Sequence, residues 1–276
     1  MDTATPSGGS EFRQADASFT GSIPEGYEKG LVPLLFEPYA ADLSDRVVAR
    51  SPSRVLELAA GTGALTRDVA AALPGAWIVA TDLNQAMIDM AAKIVTSTNV
   101  QFQQADAGSL PFDGAAFDLV VAQFGVMFFP DKVGAFREAR RVLRGNGAFL
   151  FNVWNDLAHN PFDDIVCRIF KEQTGEPCFL ERVPHAYSQP DRITDDLRAA
   201  GFDDVTIDVV DKSTTSRSVV DAFDALLGGS PLGANFEHLG LARAAEVRKL
   251  TIEALRKEFG EGEFIEKMSA LVVISS

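Results

Sequence analysis

The sequence has few of the residues that build disulfide frameworks or metal centres. Its 276 residues include two cysteines, Cys167 and Cys178, and three histidines. Two cysteines are too few for a disulfide framework, and no Cys or His pair shows the short repeated spacing of a zinc site. A chain of this length buries enough surface to fold without such supports. We therefore expect no bound metal ion and an activity that survives a chelator.

Basic residues and long apolar runs are also scarce. Lys and Arg number 25 against 39 Asp and Glu, which gives a net charge of −14 at pH 7. Binding to nucleic acid or to an anionic membrane needs clustered Lys and Arg, so this balance argues against both partners. The longest nearly apolar run, 119–129, is too short to span a bilayer, and residues 1–10 lack a secretory signal pattern. We expect a cytoplasmic protein whose oligomeric state no sequence pattern indicates.

From residue 54 onward, short apolar strands alternate with amphipathic helices. The first strands are predicted at 54–58, 76–81, 100–104, 117–122 and 148–153, with helices at 62–73, 84–96 and 131–143 and a turn at 144–147. Such alternation builds right-handed βαβ units and a parallel sheet covered on both faces. Later strands are predicted at 205–210 and 270–275, and later helices at 160–171, 191–200, 219–227 and 239–259.

One segment between the first strand and its helix indicates ligand chemistry. Gly61 and Gly63 form a G-x-G turn, Glu57 lies in the preceding strand, and Asp82 ends the second strand. Glycine lets a ligand approach the backbone, and an acid at the end of the second strand can accept both hydroxyls of a ribose. The alternatives are an ordinary tight turn and a helix cap. A dinucleotide fingerprint is incomplete, because Thr66 occupies the position of its third glycine.

The pattern E-x-A-x-G-x-G at 57–63, the acid after the second strand and Ala-Asp-Ala at 105–107 resemble class I S-adenosylmethionine-dependent methyltransferases. Within them, the chain is similar to the methyltransferase-11 or UbiE-like small-molecule group. The segment 140–147 resembles that group's R-V-L-x-P-G-G motif, with Gly145 and Asn146 replacing Pro-Gly. The resemblance covers residues 54–152. It implies a doubly wound, Rossmann-like α/β sheet of seven strands in the order 3-2-1-4-5-7-6, with an antiparallel last strand and an added helical cap.

The resemblance also implies a cofactor, S-adenosyl-L-methionine, with S-adenosyl-L-homocysteine as product. The backbone of 59–63 would contact the methionine part, Asp82 the ribose, and Asp106 with the Ala107 amide the adenine. The whole cofactor-binding set that it implies is Glu57, Ala59, Gly61, Gly63, Asp82, Leu83, Met87, Asp106, Ala107 and Gln123. Several of these have ordinary alternatives: Leu83 and Met87 could pack on a helix face, Asp106 could form a turn, and Gln123 could be a loop amide.

The acceptor side has no recognisable motif. Phe19, Tyr27 and Trp154 are the predicted substrate pocket, since they lie in segments that flank the cofactor-binding core. His159 and Tyr27 are the candidate catalytic residues, although a solvated loop His and a surface Tyr are the alternatives. Apolar residues in 161–190 and 226–236 could enclose an apolar acceptor or could simply pack in a core.

These observations predict a single methyltransferase domain over 19–276 after a disordered tail at 1–18. Its parts would be an N-terminal helical lid at 19–50, a cofactor-binding core at 54–153, and substrate-cap helices at 160–200 and 217–262. Glycines at 21, 26 and 30 can absorb backbone rotation, so residues 19–30 are predicted to be a mobile lid that orders when cofactor binds.

The predicted activity is methyl transfer to a small, apolar molecule through an oxygen, nitrogen or carbon acceptor. Two alternatives remain at this point. One is an NAD(P)-dependent oxidoreductase, which shares the strand, glycine turn and helix. The other is a non-catalytic module that binds S-adenosylmethionine in regulation.

Overall fold

A computed structural model describes residues 19–276, and the predicted tail at 1–18 lies outside the described residues. The strands are β1 Arg54–Glu57, β2 Trp77–Asp82, β3 Val100–Gln104, β4 Phe117–Gln123, β5 Leu143–Trp154, β6 Val205–Ser216 and β7 Phe264–Ser275. The helices are α1 Ile23–Gly26, α2 Glu37–Ala49, α3 Ala64–Ala72, α4 Gln85–Ile94, α5 Lys132–Val142, α6 Pro161–Thr174, α7 Phe179–Arg182, α8 Pro190–Ala199, α9 Val219–Gly229, α10 Leu232–Glu237 and α11 Leu241–Phe259. A π-helical segment, Tyr27–Phe36, joins α1 to α2, and 3-10 turns form at Val126–Phe128 and Leu157–His159.

The seven strands form one sheet in the order β3-β2-β1-β4-β5-β7-β6. Strands β1 to β5 run parallel, whereas β7 runs antiparallel to both β5 and β6. Helices follow β1, β2 and β4 and return the chain to the start of the next strand, as parallel pairing requires. The predicted doubly wound fold, its strand order and its antiparallel last strand are confirmed.

Both faces of the sheet are covered, which explains why its central strands are almost entirely apolar. Successive residues of β1 point to opposite faces: Val55 packs in the cluster formed with α2 and α3, and Leu56 packs in the larger cluster on the other face. The larger cluster contains Phe136, Phe149 and Phe151, whose rings contact one another. Burial on both sides therefore fixes which residues of each strand face which layer.

Two predictions about strand limits are wrong. Residues 144–147 belong to β5 instead of forming a separate turn, although the register with β4 is irregular there, since Phe117 pairs with Leu143 and Leu119 with Ala148. Strands β6 and β7 are also twice as long as predicted, and pair from Val205 with Ser275 to Ser216 with Phe264. The added half of β6 is polar, and because β6 is an edge strand its side chains need no apolar pattern.

The helices that follow β5 lie in two places. Helix α8 packs against α5 and β6 on the side of the sheet, whereas α6 packs against α7 and α11. Helix α9 packs against the π-helical segment, so that the N-terminal residues and the later helices meet. Within residues 19–276, no helix is both long and apolar enough to cross a membrane.

Asn160 fastens the start of α6 to the sheet. Its side chain is buried, donates to the Asp156 carbonyl at 3.0 Å and to the Ser269 carbonyl at 3.2 Å, and accepts from the Ser269 amide at 3.0 Å. A single amide side chain thus joins the loop after β5 to the middle of β7. These bonds hold the segment from which the later helices depart.

We expect Asn160→Ala to lower the free energy of unfolding by about 2–4 kcal/mol, because it leaves several buried backbone groups unpaired. Urea denaturation followed by circular dichroism measures this. Asn146→Ala is the matched control, since Asn146 is exposed, and should change stability by less than about 0.5 kcal/mol. If both substitutions change the free energy of unfolding equally, the Asn160 hydrogen bonds do not stabilise the contact between the loop after β5 and β7.

Candidate active site

A cavity that is open to solvent lies at the carboxyl ends of β1, β2, β4 and β5, and it spans about 1190 Å³ when the part open to solvent is included. This is where ligands bind in open α/β sheets, at the point where consecutive strands depart in opposite directions from β1. The sheet edge therefore provides the site, and the loops after each strand provide its walls.

Most of the predicted site residues come together in this cavity. Its lining includes Ala59, Gly61, Asp82, Leu83, Met87, Asp106, Ala107 and Gln123 from the predicted cofactor set, and Phe19, Tyr27 and Trp154 from the predicted substrate pocket. Three predicted residues do not line it: Glu57, Gly63 and His159.

The glycine loop depends on left-handed backbone at Gly61 and Gly63, whose φ angles are 57° and 87°. Only glycine takes such angles without steric cost. The two glycines are therefore required by the tight turn itself, and they also leave the backbone open to close approach by a ligand. Gly63 precedes the first residue of α3 and faces away from the cavity, against Val95. Ala59 also has positive φ, at 51°, which costs strain for a residue with a β-carbon.

Asp82 joins the ends of β1 and β2. Its carboxylate accepts the Gly61 amide at 2.9 Å through Oδ2 and the Asn84 amide at 2.8 Å through Oδ1. Burial raises the pKa of this carboxyl, and hydrogen bonds from Asn84, Gly61 and Leu83 oppose that rise. A carboxylate has about four acceptor sites. These hydrogen bonds use much of that capacity to hold the loop, and Asp82 also lines the cavity.

Glu57 lies beneath the glycine loop and not in the cavity. It is 2% exposed and accepts the Thr66 hydroxyl at 2.6 Å. Burial raises its pKa to about 8, with the charge of Asp82 adding to the rise and the Thr66 bond opposing it. The residue that breaks the dinucleotide fingerprint thus has a structural role, since its hydroxyl pairs a buried acid under the loop.

The raised pKa of Glu57 predicts a pH dependence of stability. Between its ordinary pKa of 4.5 and the folded value of about 8, the unfolded chain releases a proton that the folded chain keeps. Stability from this group therefore falls as pH rises through that window and stays low above it. The free energy of unfolding of Glu57→Gln, relative to that of the wild type, should therefore rise by roughly 2–4 kcal/mol between pH 4.5 and pH 8. Denaturant curves at several pH values measure this difference. Parallel stability profiles for the two proteins would contradict it.

The segment after residue 19 covers the glycine loop. The Tyr27 ring lies beside Gly61 and stacks on Phe36 with ring centroids 5.0 Å apart. Glu28 accepts from the Thr62 hydroxyl and pairs with Arg67 at 3.0 Å. Burial raises the pKa of Tyr27, and nearby carboxylates reinforce the rise, so its hydroxyl is neutral. The predicted lid thus lies over the loop, and its mobility stays a prediction.

The rim of the cavity is formed by the loops after β2 and β3. Leu83 is 53% exposed, whereas Met87 is buried in α4. Asp106 accepts the Gly108 amide at 2.8 Å, so it forms the turn that sequence reasoning held as its alternative and also lines the cavity. Gln123 donates to the Phe36 carbonyl at 2.8 Å, which connects the end of β4 to the π-helical segment.

An aromatic wall stands at the β4 and β5 side. Trp154 stacks on Phe124, with centroids 4.1 Å apart and planes 18° from parallel. Phe124 has a φ of 48°, and Asn152 holds it there by accepting its amide at 2.8 Å. Phe128 and Phe179 face each other farther along the lining. Sequence analysis identified Trp154 and included Phe179 in the possible apolar cap at 161–190, but it missed Phe124 and Phe128, because no periodicity distinguishes lining rings from core rings.

His159, a candidate base in the sequence, lies outside the cavity. It is exposed, and its Nδ1 lies 2.6 Å from Asp156 Oδ1. The structure brings a different pair to the cavity: Asp163 lines it, and the buried His185 lies behind, with Nε2 2.9 Å from Asp163 Oδ2. Asp163 and His185 are 22 positions apart, so no sequence spacing indicates the pair, and only the fold brings the two residues together.

The charges of the cavity favour a cation over a phosphate. Asp82 and Asp106 line it, and Asp163 is paired with His185, whereas no Lys or Arg in the described part of the chain does so. A dinucleotide brings two phosphate charges, and a sulfonium brings one positive charge. Within residues 19–276, no group of three His, Cys, Asp or Glu side chains is placed to hold a metal ion.

Known proteins share this segment and this fold. Residues 55–147 match the family described as methyltransferase domain. The demethylmenaquinone methyltransferase of Deinococcus radiodurans is 28% identical over 168 residues, which are 56% of this chain and 70% of that protein. The ubiquinone/menaquinone biosynthesis C-methyltransferase UbiE of Pseudomonas fluorescens is 36% identical over 121 residues, 42% of this chain and 46% of that protein. The YcgJ protein of Bacillus subtilis has the same fold, with a TM-score of 0.56, 20% identity, and coverage of 86% of this chain and 97% of that one.

Proposed function

We propose that this chain, a class I S-adenosylmethionine-dependent methyltransferase, transfers the methyl group of its cofactor to a small, flat, largely apolar acceptor. The observation that carries the proposal is the continuity of one cavity, which runs from Asp82 at the end of β2 to the Trp154 wall at the end of β5. These strands are three places apart in the sheet, or about 14 Å at ~4.8 Å per strand. The two ends can therefore take two molecules side by side.

The cavity suits S-adenosylmethionine at its β1 and β2 end. Asp82 would accept the ribose hydroxyls, Asp106 and the Ala107 amide would bind adenine, and Leu83 with Met87 would lie against its ring. When bound, this cofactor supplies a methyl group on a positively charged sulfur. The carboxylates of the lining favour that positive charge. The backbone of 59–63 would contact the methionine part of the cofactor. Glu57 would support this loop from below through its hydrogen bond with Thr66, without contacting the cofactor.

The other end suits an apolar acceptor. Phe124 and Trp154 form a flat wall there, and Leu226 and Phe179 add apolar surface. Ring stacking can orient a flat molecule, and orientation toward the donor supplies much of the rate of a displacement reaction. The names of the two relatives, which refer to menaquinone and ubiquinone, agree with an aromatic quinol as the class of acceptor. Tyr27 and Phe19 would exclude water from above.

The two alternatives fit less well. An NAD(P)-dependent oxidoreductase has to bind a diphosphate, and the described lining offers carboxylates without Lys or Arg. A regulatory module that only binds the cofactor needs no second compartment, whereas this cavity continues to an aromatic wall beyond the cofactor end. A single domain with a lid at 19–50 agrees with the contacts between the N-terminal segment, the glycine loop and α9.

We expect Asp82→Ala to weaken binding of S-adenosylhomocysteine about 10- to 100-fold, through loss of hydrogen bonds to a charged group. Isothermal titration calorimetry measures this, with circular dichroism to show that the variant is folded. Asp89→Asn is the control, because Asp89 is exposed on α4, the helix that follows β2, and does not line the cavity. Unchanged affinity in folded Asp82→Ala would remove the ribose assignment.

The function is tested by incubating the protein with isotopically labelled S-adenosylmethionine and a panel of acceptors, followed by mass spectrometry. The panel contains reduced naphthoquinones, naphthols and catechols, with glycine and phosphoethanolamine as polar controls. We expect products heavier by one methylene from the aromatic compounds alone. Methylation of the polar controls alone would contradict the acceptor class, and cofactor binding without any product would favour the regulatory module.

A further inference from the structure

The acceptor end of the cavity contains a polar corner that the cofactor does not need. Asp163, in the first turn of α6, lines both the main cavity and a small neighbouring one. The two cavities also share Leu31, Leu35 and Leu226. Asp163 thus places a carboxylate next to these apolar side chains, on the side of the cavity where the ring centroids of Trp154 and His185 are 6.3 Å apart.

The hydrogen bonds around His185 determine where its protons are. Its Nδ1 lies 2.7 Å from the Asn155 carbonyl, and because a carbonyl only accepts, Nδ1 carries a proton. Its Nε2 lies 2.9 Å from Asp163 Oδ2, a distance that requires a second proton between these two atoms. The histidine is buried, so this pairing occupies Oδ2 and leaves Oδ1 of Asp163 without a hydrogen bond from the described residues.

Glu266 adds an independent sign that this corner takes a ligand. It is 5% exposed and lines the small cavity. Burial and the nearby charge of Asp163 raise the pKa of Glu266 well above its usual range, which favours its neutral form. A neutral carboxyl can both donate and accept a hydrogen bond, so this corner offers polar groups within an otherwise apolar lining.

We infer that the acceptor carries a hydroxyl group and that Asp163 binds this hydroxyl and takes its proton. The hydroxyl donates to Asp163 Oδ1; when the O–H bond breaks, its electron pair stays on the acceptor oxygen and the proton bonds to Oδ1. The resulting negative charge on the oxygen, or on a ring carbon conjugated with it, is what attracts the incoming methyl group. The inference rests on the proposed function and narrows the acceptor to hydroxylated aromatic molecules.

A neutral hydroxyl fits this corner better than an amine. Asp163 is already paired with His185 at 2.9 Å, and the raised pKa of Glu266 favours its neutral form. An ammonium group would therefore gain less electrostatic stabilisation here to offset its desolvation. The groups facing Asp163 from the neighbouring elements are His185 and Glu266, with Cys167 on the same helix.

The test compares 2-naphthol with 2-methoxynaphthalene, which differ only in a hydroxyl that can donate. Their affinities are measured by calorimetry without cofactor, so that the readout does not depend on methyl transfer. The wild-type protein should bind 2-naphthol about tenfold more tightly, as expected for a hydrogen bond to a charged group. Asp163→Asn should reduce this ratio to roughly threefold or less. Asp164→Asn, an exposed neighbour on α6, should keep the wild-type ratio.

His185 is a positioning residue, and the same ratio tests it. His185→Gln keeps a donor toward Asp163 and should keep most of the preference for 2-naphthol, whereas His185→Ala should lose it. A merely structural role would lower both affinities and leave their ratio unchanged.

The failures can be told apart. Equal binding of the two compounds by the wild-type protein overturns the inference about Asp163, and methylation of aromatic acceptors in the panel would still support the proposed function. If Asp163→Asn still binds 2-naphthol tenfold more tightly than 2-methoxynaphthalene, another group binds the hydroxyl, and the inference about Asp163 is also wrong. If neither compound binds while S-adenosylhomocysteine does, the inference and the apolar acceptor class are both wrong.

Discussion

The carboxylate of Asp82 accepts the Gly61 amide at 2.9 Å and the Asn84 amide at 2.8 Å, and these two bonds tie the loop after β1 to the loop after β2. Between them, the carboxyl edge of the sheet opens into the cavity. Strand order places this opening beside β1, and left-handed glycines allow the loop to turn within it. The other strands end at the same edge, and they position the loops of the rim and the aromatic wall of Trp154 and Phe124. The N-terminal segment after residue 19 covers the glycine loop.

Electrostatics divides the cavity into two ends. At the β2 end, Asp82 is buried but held by backbone donors, so it presents a stable acceptor to a ligand. At the β5 end, Asp163 pairs with His185, and burial with the charge of Asp163 raises the pKa of Glu266. Acids in such different surroundings are suited to different roles, and the roles proposed above are cofactor binding for Asp82 and proton acceptance for Asp163.

The sequence predicts the parts of this molecule that local pattern determines. The apolar strands and the glycine loop follow from residues 54–153, whereas the strand order followed from the resemblance to known methyltransferases. Asp82 ends β2 as predicted and lines the cavity, and its ribose role stays a prediction. Glu57 shows the limit of such reasoning, since its position in the motif suggested ligand contact while its side chain pairs with Thr66 under the loop. His185 shows the other limit, because only the fold brings α6 and the segment after α7 together. Edge strand β6 was underestimated because its outer half is polar.

Hydrogen exchange measured with and without S-adenosylhomocysteine tests most directly the claim that the cofactor lies across the loops of β1, β2 and β3 beneath the N-terminal segment. The account predicts slower exchange on binding at 59–63, 82–87 and 105–108, together with residues 19–30. Matched peptides from α8, which lies against α5 and β6, should not change. Tight binding without protection at 59–63 and 82–87 would place the cofactor elsewhere and contradict the account, whereas protection of those loops with unchanged exchange at 19–30 would contradict the lid alone.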